Sequence, residues 1–256
     1  MNANRPILMS ILQYQDEVNA GKISLFEVLD KLKGLGVAGI ELRREIWPKR
    51  EQEQTAVRDW LKQAGMMVTY ATFSTLFSPD EDARKLLYHD MDTAKALGSP
   101  LLRIFPGADP FTATDAAWQA ANAAVEYAAS LGIMIALENW GKLPGGRVRE
   151  LAHILDRIPA LKTNIDIGNY ATHGEDVIEA IRTFGDRAVY AHLKDKAGDR
   201  SDATTYLGGG TLPMREIIAA LNALPQPIIY CFEFVGDGEA EERIKKSVDY
   251  LRSFPH

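Results

Sequence analysis

The side chains of this chain best suited to chemistry are three carboxylates and one imidazole, each near the end of a separate apolar run. They are Glu138, Asp166, His192 and Glu233. A buried strand rarely accepts a carboxylate without a partner, because desolvating an ionised group is costly unless charge or hydrogen bonds offset it. Carboxylate oxygens combined with an imidazole nitrogen suit a borderline divalent ion such as Mn, Co, Zn or Mg. The pattern therefore predicts a site for one divalent metal ion.

Eight apolar, strand-like runs alternate with eight helical runs and would position these side chains. The first helix is marked by Ser24 and Glu27 at capping-box spacing, and Gly34 and Gly36 end it. Eight β-α units predict an α/β fold, a single (β/α)8 TIM barrel over residues 1–256, in which the C-terminal strand ends form one rim. The first β-α turn carries no glycine-rich dinucleotide fingerprint, which argues against the rival, an open doubly wound sheet.

Composition and charge exclude several classes of function. A formal net charge of -6 gives no basic footprint for nucleic acid. The one cysteine, Cys231, excludes an intramolecular disulfide and fits a reducing compartment. The amino-terminal apolar stretch is too short and too soon interrupted for a signal peptide or a membrane span. We expect a cytoplasmic protein without nucleic acid or membrane partners, and its helical faces leave a homodimer open.

Five short motifs are similar to the strand motifs of the xylose isomerase-like superfamily of sugar-phosphate isomerases and epimerases. They are GIELR, ALENW, NIDIGN, AHLKD and CFEF, and the resemblance covers essentially the whole chain. It implies that Glu138, Asp166, His192 and Glu233 bind one divalent ion, and that Glu138 and Glu233 also handle substrate protons. Asn169 stands where ketose epimerases and endonuclease IV generally have His, a departure that argues against a strict ketose 3-epimerase.

The predicted chemistry is the removal of a proton beside a sugar carbonyl and its return to the same or the neighbouring carbon. A divalent ion would act as a Lewis acid toward the resulting enediolate. Glu138 and Glu233 would act as acid and base from opposite sides of the sugar, while Asp166 and His192 mainly fix the ion. This predicts a metal-dependent isomerase or epimerase acting on a sugar or sugar phosphate.

Further polar and aromatic residues near the strand ends are predicted to contact the substrate. For Glu41 and Arg43 the alternative is that they pair with one another, and for Arg103 that it forms a salt bridge within the barrel. Lys194 would steady an enolate or sugar oxygen, and the indole face of Trp140 would pack on a sugar ring. The full predicted set is Glu41, Arg43, Arg103, Trp140, Asn169 and Lys194.

Three alternative functions remain open. An inosose-like dehydratase needs almost the same residues, because the same enediolate can expel a β-hydroxyl. A DNA repair endonuclease would need several histidine ligands, and only His192 is well placed. A catalytically silent sugar-binding barrel is the third. The glycines at 208–210 either cradle a phosphate or form a turn, and Asp195 either orients a neighbour or caps the following loop.

Overall fold

Eight parallel strands close into a barrel in the computed structural model, which describes residues 5–78, 80–198 and 203–254. Around the barrel the strand order is β1-β10-β7-β6-β5-β4-β3-β2. A two-stranded antiparallel ribbon, β8 with β9, lies outside it. The strands are β1 (Ile7–Ser10), β2 (Gly39–Arg43), β3 (Met67–Thr75), β4 (Leu101–Phe105), β5 (Met134–Glu138), β6 (Lys162–Asp166), β7 (Ala188–Leu193), β8 (Asp195–Lys196), β9 (Thr204–Thr205) and β10 (Ile229–Phe232). The predicted (β/α)8 TIM barrel is confirmed.

The helices surround the barrel and connect its strands. They are α1 (Gln15–Asn19), α2 (Leu25–Gly34), α3 (Arg50–Ala64), α4 (Glu81–Leu97), α5 (Asp115–Ser130), α6 (Val148–Arg157), α7 (Ile167–Thr172), α8 (Val177–Thr183), α9 (Met214–Asn222) and α10 (Ala240–Arg252). In the described part of the chain, none of them has the length and apolar character needed to cross a membrane.

The predicted start of α2 is confirmed by its hydrogen bonds. Ser24 Oγ accepts from the backbone N–H of Glu27, and the Glu27 carboxylate accepts from the backbone N–H of Ser24 at 2.8 Å. These two bonds satisfy donors that a helix start would otherwise leave unpaired. After the helix, Gly36 has φ +69°, a conformation that residues with a Cβ rarely adopt.

Two layers of side chains fill the barrel interior. The apolar layer consists of Leu8, Leu101, Ala136, Tyr190 and Cys231, which form one buried cluster. Towards the C-terminal strand ends the same inward faces carry polar and charged residues, because inward positions recur every second residue. The larger apolar core packs the outer strand faces against the helices. The barrel therefore presents a charged layer at one end, supported by an apolar layer beneath it.

Some element boundaries differ from those expected from the sequence. The first apolar run, Ile7–Tyr14, divides into β1 and a 3-10 helix, Ile11–Tyr14, whose first turn is capped by Ser10 Oγ. The sixth run divides in the same way, since β6 ends at Asp166 and α7 begins at Ile167. In both cases the chain turns into a helix directly at the barrel rim.

Candidate metal centre

The barrel register brings the four predicted ligands to one place. Glu138 ends β5, Asp166 ends β6, His192 is the last residue but one of β7, and Glu233 directly follows β10. Asp166 is paired in register with His192, which is paired in register with Cys231 on β10, two residues before Glu233. All four residues are buried, and one ligand atom from each lies within 4.8 Å of the others. The cluster is thus a product of strand register.

The imidazole of His192 lies between three carboxylates on its Nδ1 side and Glu41 on its Nε2 side. Its Nδ1 lies 3.1 Å from Glu138 Oε2, 3.5 Å from Glu233 Oε2 and 3.6 Å from Asp166 Oδ2. Its Nε2 lies 2.7 Å from Glu41 Oε2, on the inner side of the cluster. A neutral ring that donates Nε2–H to Glu41 leaves the Nδ1 lone pair facing the other three carboxylates. A carboxylate behind a histidine in this way orients the ring and increases its basicity as a metal ligand.

Glu41 itself is fully buried and has a complete set of partners. Its carboxylate accepts from Ser10 Oγ at 2.9 Å, Arg43 Nε at 2.9 Å and Tyr190 OH at 3.1 Å, besides facing His192. The pair with Arg43, one of the two alternatives considered for Glu41, is present in the structure. Glu41 therefore lies beneath the ligand cluster, and we assign it to holding His192.

Three buried cations face the carboxylates of the site. Arg43 contacts Glu233 Oε1, Arg103 Nε lies 3.0 Å from Glu138 Oε2, and Lys194 Nζ lies 2.6 Å from Asp166 Oδ2. Lys194 Nζ also lies 2.5 Å from Glu233 Oε2. Each cation is at most one-tenth exposed, so these charges interact across little solvent. The barrel salt bridge considered for Arg103 is present in the structure.

The charges alter the acidity of each carboxyl differently. Burial alone would raise the pKa of Glu233, but His192, Lys194 and Arg43 hold that pKa well below its usual value. Burial would also raise the pKa of Glu138, but Arg103 and His192 lower it below its usual value. At Asp166 burial prevails over Lys194, and its pKa is raised. Glu138 and Glu233 are therefore held as carboxylates, the form needed by a metal ligand or a base.

The same carboxylates act on His192. Burial opposes them, but Glu233, Glu41 and Glu138 raise the pKa of the imidazole well above its usual value. The raised pKa favours protonation of the ring when no ion is bound, and a metal ion at Nδ1 would take the place of that proton. Binding of an ion by this donor set is therefore coupled to proton release.

The remaining predicted substrate contacts lie around the cluster. Asn169 Nδ2 donates to Glu138 Oε1 at 3.1 Å and to the Asn139 carbonyl at 2.9 Å. Trp140 is partly exposed and forms an aromatic wall with Phe73 and Phe105, whose ring centroids lie 6.1 and 5.2 Å from that of the indole. Asn169 is thus a neighbour of a predicted ligand, and Trp140 belongs to a wall that includes the half-exposed ring of Phe73. Their contact with a substrate stays a prediction.

Two asparagines that hold the ligands were missed in the sequence. Asn164 Nδ2 lies 2.9 Å from Glu138 Oε2 and 3.0 Å from His192 Nδ1. The side chain of Asn139 both accepts from the backbone N–H of Asp166 at 2.7 Å and donates to its carbonyl at 2.9 Å. Asn164 could have been found by alternation, since it lies two residues before Asp166 on the same strand face.

The glycine loop after β7 is organised by Asp195. The buried Asp195 carboxylate accepts from the backbone N–H groups of Lys196, Gly208, Gly210 and Leu212, at 2.8–3.1 Å. Two of the glycine-loop amides considered as a phosphate cradle, those of Gly208 and Gly210, therefore already donate to a carboxylate of the chain. The structure favours the alternatives of a turn at the glycines and a capping role for Asp195.

The donor set of the cluster is chemically suited to a divalent ion. Three carboxylates and one imidazole nitrogen converge, and a set of oxygen ligands with one nitrogen suits Mn, Co, Zn or Mg. Glu138 ends β5 and Glu233 directly follows β10, and β6 and β7 lie between these two strands in the ring. The two glutamates thus approach the centre from separate parts of the rim.

Comparison with known proteins agrees with this architecture. A search of curated proteins finds no match. Among solved structures the chain is similar to a probable 3-DHS dehydratase, AsbF, from Bacillus anthracis, involved in petrobactin synthesis (TM-score 0.80, 15% identity, 98% of this chain and 100% of that one). It is also similar to a D-allulose 3-epimerase from Methylomonas sp. in complex with D-allulose (TM-score 0.76, 18% identity, 98% and 97% covered). The IolI protein with a binding zinc atom gives a TM-score of 0.78 at 14% identity, with 96% of each chain covered.

At these identities the three structures establish a shared fold. The sequence profile of the xylose isomerase-like TIM barrel family matches residues 29–254. That match spans most of the chain and all four residues of the ligand cluster. The chain belongs to the xylose isomerase-like TIM barrel family.

Proposed function

We propose that the protein is a divalent-metal-dependent isomerase or epimerase of a sugar or sugar phosphate. The observation that carries the proposal is the convergence of Glu138, Asp166, His192 and Glu233, whose ligand atoms lie within 4.8 Å of one another at the barrel rim. When bound there, the ion supplies Lewis acidity that stabilises negative charge on substrate oxygens. The Methylomonas relative, which was crystallised with D-allulose, supports a ketose as one substrate to test.

The glutamates are the proposed acid and base. Their low pKa values, imposed by neighbouring cations despite burial, keep them ionised at neutral pH. One carboxylate would remove the proton beside the carbonyl and later release it to solvent, while the other, after taking up a proton from solvent, would return it to the enediolate from its own side. Each such positioned transfer contributes about 10²- to 10⁴-fold to the rate.

The other residues orient the substrate and limit access of water. Trp140 and Phe73 would offer ring faces to the apolar side of a sugar, with the buried ring of Phe105 packed behind them. Asn169 would position Glu138 through the bond from its amide. We keep a small-molecule partner and a cytoplasmic location as parts of the proposal, and leave a homodimer open.

A dehydratase is the second candidate, and Lys194 favours it. Its ammonium lies 2.5 Å from Glu233 Oε2, so a cationic donor stands beside the proposed base and could protonate a departing β-hydroxyl. The fold similarity to a probable dehydratase is compatible with this alternative. Both reactions begin with the same proton abstraction, so one experiment can detect their common step and then separate them.

The test is proton NMR in deuterated water with Mn-loaded protein and a panel of ketoses, ketose phosphates and cyclic polyol ketones. An isomerase or epimerase should incorporate deuterium beside the carbonyl and form an isomeric product, whereas a dehydratase should form an unsaturated or dicarbonyl product. Glu138→Gln and Glu233→Gln should lower turnover about 10²- to 10⁴-fold with the fold retained. Near-wild-type turnover in both variants would contradict the two-glutamate mechanism. Metal binding without exchange on any substrate would favour the silent barrel.

A further inference from the structure

Lys194 contacts two of the four predicted ligands of the candidate metal site. Its Nζ lies 2.6 Å from Asp166 Oδ2 and 2.5 Å from Glu233 Oε2. Both oxygens also face the Nδ1 of His192, at 3.6 and 3.5 Å. The ammonium is therefore bound to two of the proposed ligands, on the side where these ligands converge.

In each of the two carboxylates, Lys194 contacts the oxygen that would remain for an ion, because the other oxygen already has a partner. Asp166 Oδ1 accepts from the backbone N–H of Asn169 at 2.8 Å, which leaves Oδ2. Glu233 Oε1 is bound by Arg43, which leaves Oε2. A divalent ion takes carboxylate oxygens at about 2.0–2.6 Å, depending on its identity. An ion that used Asp166 and Glu233 would therefore compete with the Lys194 ammonium for the same two atoms and be repelled by its charge.

Lys194 is also the most readily moved of the three cations. Arg43 is anchored a second time by Glu41, and Arg103 Nη1 donates to the Thr72 carbonyl at 2.9 Å. The Lys194 ammonium, in contrast, is held by the ligand carboxylates themselves. Its flexible stem crosses Gly168 so closely that a Cβ there would lie 2.6 Å from Lys194 Cε and 2.7 Å from Cγ. The stem thus packs against the backbone at Gly168, and among the described residues the ammonium contacts Asp166 and Glu233 without a second anchor like those of the arginines.

We propose that Lys194 is an exchangeable counter-cation, which neutralises Asp166 and Glu233 in the ion-free protein and withdraws from them when a divalent ion binds. The inference rests on the proposed function, because it needs the ion to use these two ligands. Its consequence is that the affinity for the ion is set partly by the bonds that Lys194 must give up. The released ammonium remains tethered at the rim, beside the position proposed for the substrate.

The test is isothermal titration of ion-free protein with Mn²⁺, comparing wild type, Lys194→Met and Lys162→Met. Methionine keeps most of the stem over Gly168 and removes the charge. Lys162 begins β6, at the opposite end of the strand from Asp166, so its replacement is a control for the same loss of charge. Lys194→Met should bind Mn²⁺ more tightly by a factor on the order of 10 or more, since close buried charge pairs couple strongly. Lys162→Met should bind as wild type does.

A crystal structure of the Mn-loaded wild type provides a second measurement that does not depend on the variants folding. Lys194 Nζ should lie beyond about 4 Å, the limit of an ion pair, from both Asp166 Oδ2 and Glu233 Oε2. Equal or weaker Mn²⁺ binding by a folded Lys194→Met, or a Mn-loaded wild type with both contacts intact, overturns the counter-cation and leaves the metal site standing. If neither wild type nor Lys194→Met binds Mn²⁺ at millimolar concentration, the metal site and the counter-cation both fail.

Discussion

At the scale of single residues, the site depends on carboxylates with distinct tasks. Glu233 and Glu138 face the point where the ligands converge, whereas Glu41 faces the other nitrogen of His192 from below. Glu41 also joins Ser10 and Tyr190, so one buried carboxylate connects three strands to the imidazole. The orientation of His192 should therefore depend on a residue that does not itself reach the ion.

Replacing Glu41 by Gln tests this dependence. Glutamine retains the shape of the side chain but lacks the negative charge and one of the two acceptor oxygens. It can therefore accept from Arg43 Nε or from His192 Nε2–H through its one oxygen, but no longer from each through a separate carboxylate oxygen. We expect the affinity for Mn²⁺ to fall about 10- to 100-fold, the range seen when groups behind metal ligands are replaced. Titration of ion-free protein with Mn²⁺ measures this affinity. Ser10→Ala, which leaves the hydrogen bond between His192 and Glu41 in place, is the matched control and should bind Mn²⁺ nearly as tightly as wild type. Unchanged affinity in Glu41→Gln would refute the orienting role.

At the scale of elements, the side chain of Asp195 organises the glycine segment of the loop after β7. Four backbone N–H groups from Lys196 to Leu212 converge on the buried Asp195 carboxylate, which fixes the path of the glycine segment. Gly210 leaves no room for a side chain, since a Cβ would lie 2.4 Å from Asp195 Oδ1. Asp195 thus fixes the loop next to Lys194 and the rim.

Asp195→Ala should destabilise the protein. Its removal leaves one buried and three part-buried N–H groups without their acceptor, and hydrogen bonds to a charged group contribute roughly 1.5–3 kcal/mol each. We expect the free energy of unfolding to fall by about 3 kcal/mol or more, measured by urea denaturation. Asp176→Ala, which removes the exposed cap of α8, should cost about 1 kcal/mol and serves as the control for a simple loss of an aspartate. A loss no greater than that of the control would contradict the anchoring role.

The sequence predicted elements better than it predicted their ends. Alternation within the strands identified the inward face of β7 and β10, and with it His192 and Glu233, because that pattern is local. The turn of the chain into α7 after Asp166 was missed, because the sequence there has the pattern of a strand. This short helix is capped by Asp166, whose Oδ1 accepts from the backbone N–H of Asn169. The bonds of Asn139 and Lys194 depend on which strands are neighbours, and no single strand carries that information.

At the scale of the whole molecule, the charged layer is balanced by residues from most of the barrel. Four carboxylates from β2, β5, β6 and the segment after β10 face Arg43, Arg103, Lys194 and the imidazole of His192. If the imidazole carries its additional proton, the opposite charges are equal in number. Without an ion, each buried charge of such a layer still has an opposite charge beside it. A buried charge left uncompensated would be strongly destabilising. The ion-free protein should therefore be folded, with the ion adding stability to a barrel that already exists.

Ion binding should raise the melting temperature, because the ligands come from β5, β6, β7 and the segment after β10, which an unfolded chain does not bring together. A ligand present at 100 times its Kd stabilises the folded state by about 2.7 kcal/mol when the unfolded chain does not bind it. For a chain of this size that corresponds to a rise of roughly 5–10 °C, measurable by calorimetry with and without Mn²⁺ and reversible by a chelator. Asp166→Asn should lose most of the rise, whereas Asp176→Asn, at the exposed cap of α8, should retain it. An equal rise in wild type and Asp166→Asn would locate the stabilising ion outside the barrel rim.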